Sequence, residues 1–186
     1  MYTDVKTILD DASRNNYGVL AASAINLELA RLIAAADELQ SPLIILMGQM
    51  QMTKHARADV MVPLIRTLAE ETNVPVALIL DHGRDWEKIT WAYRQGFSSI
   101  MVDASAYDME ENIARTKKAV ELCHVQGLAV EGELGHVGQA ATLGGGLLLY
   151  RPQPGGGVCS GHGGGQPGHC LRHCPWGLSQ RLYPHH

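Results

Sequence analysis

The sequence predicts an α/β protein, a TIM (β/α)8 barrel of which about five βα units are present, followed by a tail of another composition. Three observations lead there. Short apolar runs without polar alternation recur along residues 1–142, the pattern of strands buried on both faces. Helical patterns separate them, and strand starts fall about 25 residues apart, the rhythm of an eightfold barrel of about 250 residues. Polar residues stand where the apolar runs end, which is where such a barrel builds its sites.

The elements follow in order. The first run, "YGVLAAS" (17–23), ends in Ser23, and Asn26 can cap the helical "LELARLIAAADELQ". "PLIILMG" (42–48) is the second strand, and "RADVMVPLIRTLAEET" carries apolar residues at helical spacing. The third, "VALILD" (76–81), stops abruptly at Asp81-His82-Gly83. After "SSIMVDA" (98–104), Asp108 can cap "MEENIARTKKAVELCHVQG", where Gly127 supplies the stop. "LAVEGELG" (128–135) closes the series. Strands alternating with helices through short links imply parallel pairing and right-handed crossovers. Five parallel strands at about 17–23, 42–48, 76–81, 98–104 and 129–135 are therefore expected in sequential order, the first and last on open edges. A doubly wound sheet would carry a Gly-rich phosphate turn after its first strand, and "ASAINLE" has none.

With 186 residues, 46% of them hydrophobic and 18% charged, the chain suffices for one domain with a sizeable core. Its net charge of -4 gives no basic footprint for nucleic acid. No apolar stretch approaches a membrane span, and the amino terminus, with Asp4, Asp10 and Asp11, lacks the apolar core of a signal peptide. Cys123 is the single cysteine before residue 143, which fits a reducing compartment and a cytoplasmic location.

Composition breaks near residue 142. All 19 acidic residues precede Leu143, and 12 of the 20 glycines follow it. Residues 1–142 are thus read as a partial barrel domain and 143–186 as a Gly/Pro/His/Cys-rich tail too poor in apolar residues for strands six to eight. Two readings of the tail stay open. Cys159, His162, His169, Cys170, His173 and Cys174 could hold zinc, although their spacing fits no standard knuckle or ribbon. Alternatively, this composition is what a GC-rich gene yields in a shifted reading frame.

Asp81-His82 carries the chemistry. A neutral imidazole is a common zinc ligand, and a carboxylate beside it can act as acid or base. Adjacent strand residues point to opposite sides, so the two meet in one site only if the backbone bends, a freedom that Gly83 is expected to supply. The bland reading of His82 is a hydrogen-bonded structural histidine.

"LDHG", then "GFSSIMVDAS", "ENIARTKKAVELCH" and "VEGELGHVG", in this order, resemble the class II ketose-bisphosphate aldolases, including the fructose- and tagatose-bisphosphate enzymes. "NLELARLIAAADELQSPLII" is similar to that family's first helix and second strand, and the resemblance runs from about Tyr17 to Gly138. It implies a zinc-dependent aldehyde-lyase of carbohydrate metabolism and glycolysis, a phosphorylated ketose as substrate, and a homo-oligomer in the intact family. It also implies that His82 is the first zinc ligand and that Asp81 exchanges a proton with the C4 oxygen as the C3–C4 bond breaks or forms. Asp103 and Glu133 match carboxylates flanking the metal, and Ser23 stands where a substrate-binding amide is usual. Independently, no lysine stands at an expected strand end, which agrees with a metal route rather than an imine route.

Structural alternatives accompany these roles: Asp103 capping the next turn, Glu133 paired with an arginine in the barrel mouth. Met47, Met50, Met52, Trp86 and Trp91 read as packing, and Cys123 and His124 as a helix end. His55 resembles a histidine of the family's second loop. Two further zinc-binding histidine segments of the family, "GTAHG" and "HG(A/G)S", are not present, nor are its last phosphate loops; "GHGGG" (161–165) lacks a preceding strand. "GHVGQAATLGGG" also lacks the acid of the family's flexible loop. The chain is therefore expected to be impaired, the alternative being a non-catalytic truncated product or a partner-binding half barrel.

Overall fold

The computed structural model of the protein describes residues 1–53, 56–134 and 178–179. Among them the main sheet is parallel and runs in sequence order, as the alternating pattern requires. β1 (Tyr2–Thr3) and α1 (Val5–Asn15) lead into β2 (Leu20–Ser23), and α2 (Leu27–Ala30) and α3 (Leu32–Glu38) into β3 (Leu43–Gly48). Then come α4 (Ala58–Glu70), β4 (Val76–Gly83), α5 (Trp86–Gln95), β5 (Ser99–Val102), α6 (Met109–Cys123) and β6 (Ala129–Gly132). β7 (Leu178–Ser179) pairs with β6.

Strand alternation sorts the core into two layers. Leu43, Ile45, Met47, Val76, Leu78, Leu80, Ile100, Val102 and Val130 face outward into the larger cluster with the covering helices. Ile44, Ala77, Ile79 and Met101 face the other way, where Val5 and Ile8 of α1 cover them. Asp4 starts that helix by accepting from the Thr7 N–H at 2.9 Å, and Asn16 ends it in the left-handed region at φ 56°. α1 thus covers this inner layer, and its first turn is tied to the start of β5, where the Val5 N–H donates to Ser99 Oγ at 2.9 Å.

Several expectations change in detail. The first strand is shorter, 20–23 rather than 17–23. The helix capped by Asn26, whose side chain accepts from Leu29 N, breaks at Arg31 into α2 and α3. α6 stops at Cys123, and a 3-10 turn carries the chain to Gly127 at φ 73°. β1 was not expected; it lies against the start of β4, with Tyr2 opposite Val76. The fifth strand is not an edge, because Leu178–Ser179 pairs with it, so of the two expected edges β2 remains, with Leu20 59% exposed. The rest of the tail lies outside the described residues. Among those described, no helix is long and apolar enough to cross a membrane.

Candidate functional site

The third strand does not end at Asp81. Leu80 pairs with Ile100 and Gly83 with Val102, so three steps on β4 span two on β5, a β-bulge. His82 carries it at φ 52°, a left-handed conformation that costs a residue with a Cβ about 1–2 kcal/mol. The bend foreseen at Asp81-His82 therefore exists, but it turns on His82 rather than on Gly83. The glycine is needed for another reason. A Cβ there would stand 2.7 Å from the Met101 carbonyl oxygen, 2.8 Å from a Leu80 methyl and 3.0 Å from Ile89. The close approach of two backbones fixes Gly83, not a positive φ.

On β5 and β6 the inward series Met101–Asp103 and Glu131–Glu133 run side by side, since Met101 pairs with Glu131. Asp103 and Glu133 consequently emerge as neighbours just past their strands, opposite His82. His82 Nδ1 lies 3.0 Å from Asp103 Oδ2 and 3.2 Å from Glu133 Oε2. The Asp103 side chain is only 3% exposed, and all its lone pairs have work. Arg84 Nε donates to Oδ2 at 2.7 Å, and Ser105 donates to Oδ1 through its hydroxyl at 2.6 Å and its N–H at 3.3 Å. Burial pushes this carboxyl upward, but the bonds from Ser105, Arg84 and His82 outweigh it and hold the pKa at about 2.

That depression has a stability consequence. An acid whose pKa falls on folding stabilises the fold above its unfolded value of 3.8, and the contribution disappears as pH drops through about 2. Asp103→Asn is expected to cost about 2 kcal/mol at neutral pH and to flatten the acid limb of the stability profile between these values. Urea unfolding from pH 2 to 7 reads both; an unchanged acid limb would refute the account.

Glu133 has the opposite electrostatics. Burial raises its pKa most and the Asp103 charge adds to it, while His82 and Arg84 pull it down. Its Oε2 is buried without a hydrogen-bond partner; the His82 nitrogen is near but not aligned. An orphaned anionic oxygen in such a place needs a proton or a cation. The donor set suits a divalent cation: His82, Asp103 and Glu133 each bring one ligand atom, all within 4.8 Å of one another. A divalent cation held by bonds of about 2.0–2.1 Å at tetrahedral angles would keep donor atoms about 3.3 Å apart, close to the separations of His82 Nδ1 from the two carboxylate oxygens.

Asp81 is paired in the sheet opposite Gly48, and among the described residues its carboxylate has no hydrogen-bond or ion-pair partner. Ser23 ends β2 at the same end of the sheet, with β3 between it and Asp81. The anticipated arginine partner in this mouth exists, but Arg84 engages Asp103 rather than Glu133. His55 and the Cys/His set of the tail lie outside the described residues.

Three contributors escape a reading of the sequence. Arg84 sits inside "DHGRDW", and nothing local says that it folds back onto Asp103. Asn112, buried on α6, donates to the Glu133 carbonyl at 2.9 Å, and its own Oδ1 accepts from the Thr116 hydroxyl at 3.3 Å; its one signal is an amide four residues from a threonine on an apolar helix face. Gln49 follows directly on "PLIILMG", and its place just past a strand's carboxyl end was the available clue.

The family described as "Fructose-bisphosphate aldolase class-II" matches residues 3–151. A fructose-bisphosphate aldolase of Thermus caldophilus is 40% identical over 131 residues, covering 70% of this chain and 42% of that protein. One from Geobacillus stearothermophilus is 36% identical over 154 residues, 80% of this chain and 54% of its own. The crystal structure of the YdjI aldolase from Escherichia coli K12 superposes with a TM-score of 0.68 at 38% identity, over 73% of this chain and 51% of that one. The chain spans about half the length of the relatives it matches.

Proposed function

Because the chain belongs to the class-II fructose-bisphosphate aldolase family, an enzyme family of lyases, we propose that it carries the zinc-binding, proton-transferring part of an aldolase site. The reaction is the reversible cleavage of a ketose bisphosphate, fructose- or tagatose-type, to glycerone phosphate and an aldehyde phosphate. One observation carries this reading: an imidazole and two carboxylates converge at the carboxyl ends of β4–β6, one of them with an oxygen that has no hydrogen bond, immediately beside Asp81.

His82, Asp103 and Glu133 would hold the ion. When bound, zinc supplies a Lewis acid that draws electron density from a substrate carbonyl. Asp81 takes the proton from the C4 hydroxyl as the C3–C4 bond breaks and returns it when the bond forms, the work of a carboxylate acting as general base and then general acid. Arg84 balances Asp103, so the two buried carboxylates do not both confront the ion without compensation. Ser23, on the neighbouring rim, is placed to meet substrate rather than metal.

Turnover by this chain alone is expected to be low. The family's two later zinc-binding histidine segments and its phosphate loops are not in this sequence, so groups that the family's reaction uses on the ion and on the substrate phosphates are missing. Zinc should therefore bind one to one through the His82 cluster with little or no cleavage of fructose or tagatose bisphosphate. Calorimetric titration paired with a coupled assay for glycerone phosphate tests this. Zinc binding that vanishes in Cys170→Ser/Cys174→Ser assigns the ion to the tail instead, and turnover at the rate of a complete enzyme overturns the impairment. A second reading, a partner-binding half barrel, draws on the exposed β2 edge around Leu20; it gains if no zinc binds and the chain associates.

A further inference from the structure

His82 can serve the cluster only while it stays in its left-handed conformation, and that conformation opposes its own backbone preference. Strain of this kind persists where neighbours over-determine it, so the bonds on either side of the bulge matter. Before it, the Gln49 N–H donates to the Asp81 carbonyl at 3.1 Å. After it, the Gln49 Oε1 accepts from the N–H groups of both Arg84 and Asp85, at 2.8 and 3.0 Å, while its Nε2 donates to Asp85 Oδ2 at 2.6 Å. The Asp103 N–H holds the Gly83 carbonyl at 3.0 Å from the other side. Gln49 is itself buried, at 8% exposure, and follows directly on the neighbouring strand β3.

We infer that Gln49 is a positioning residue for the cation site: it clasps the backbone on both sides of His82 and holds the imidazole toward Asp103 and Glu133. The inference deepens the proposed zinc site and rests on that reading for its functional consequence. A side-chain amide is the one group that can do this. Two N–H donors converge on its oxygen and a carboxylate acceptor faces its nitrogen, so a hydrocarbon leaves three groups unpaired and a carboxylate meets Asp85 with like charge.

The experiment uses the full 186-residue chain, with cobalt(II) as the probe followed by its visible absorption, and amide hydrogen exchange at Arg84 and Asp85. Gln49→Leu should weaken cobalt binding about 10- to 100-fold, as loss of groups that orient metal ligands does, and should speed exchange at both amides. Gln49→Glu should also weaken cobalt binding, and adding Asp85→Asn should restore much of it, because the asparagine amide then donates where the aspartate accepted. A merely structural contact would lower thermal stability without this rescue. Unchanged cobalt affinity and exchange in folded Gln49→Leu overturns the inference. So does a double variant no better than Gln49→Glu, which also decides the matter if Gln49→Leu does not fold. If the unsubstituted chain binds no cobalt, the zinc-site reading fails by itself. The exchange rates and the His82 backbone chemical shifts, which report its left-handed conformation, then still decide the role of Gln49.

Discussion

Glu133→Gln should weaken zinc binding by about 100-fold or more, since even partners outside the ligand shell are worth about 10- to 100-fold, and should leave the metal-free chain no less stable. The two effects have one cause. Glu133 Oε2 is buried without a hydrogen bond, and burial together with the Asp103 charge raises the pKa of this carboxyl. An acid whose pKa rises on folding supports the fold fully below its ordinary value of 4.5 and ceases to as pH climbs through the raised value. Once ionised, Glu133 opposes folding unless a cation takes the place of the proton. Glutamine carries no charge and ends the opposition, but it offers the cation a weaker, neutral oxygen. Denaturant unfolding of the metal-free protein across pH 4–8 should therefore lose stability with rising pH more steeply in the parent chain than in the variant. Equal zinc affinity in the two proteins, or equal slopes, would sink the account.

Gly83→Ala is expected to remove about 3 kcal/mol of stability, the upper end of the cost of overpacking. The added methyl would meet the Met101 carbonyl at 2.7 Å, and a backbone oxygen of a paired strand cannot swing aside as a side-chain tip can. Relief requires β4 and β5 to separate where Gly83 pairs with Val102, and the same movement carries His82 away from Asp103. Urea midpoints measure the first effect, and zinc affinity the second. A loss under about 1 kcal/mol would mean that the strands part easily and that the glycine is not required.

The Gly83 case marks the limit of sequence reasoning. The bend was legible, because adjacent strand residues point to opposite sides and Asp81 and His82 can share one site only if the backbone turns, but its hinge was assigned to the residue with the freest backbone. The structure spends the strain on His82 and uses the glycine for clearance. The clearance arises from a carbonyl on another strand, 18 positions along the chain, which no local pattern reports. Arg84, expected only as some arginine in the barrel mouth, shows the same limit. Its pairing with Asp103 depends on how far β4 and β5 are staggered at the bulge.

By itself the sequence determined the rhythm of strand and helix, the order and direction of the strands, and the ends at which Asp81, His82, Asp103 and Glu133 emerge. Periodicity and capping act over a few residues, and a parallel crossover leaves few topologies to choose from. Tertiary structure alone decided that His82 turns inward at a bulge, that Gln49 and Asn112 hold the backbone of the site, and that Glu133 rather than Asp103 keeps an oxygen without a hydrogen bond. Those outcomes depend on hydrogen bonds between residues 19 to 36 positions apart, such as Arg84 to Asp103 and Gln49 to Asp85, which form only once packing has set the spacing of the strands.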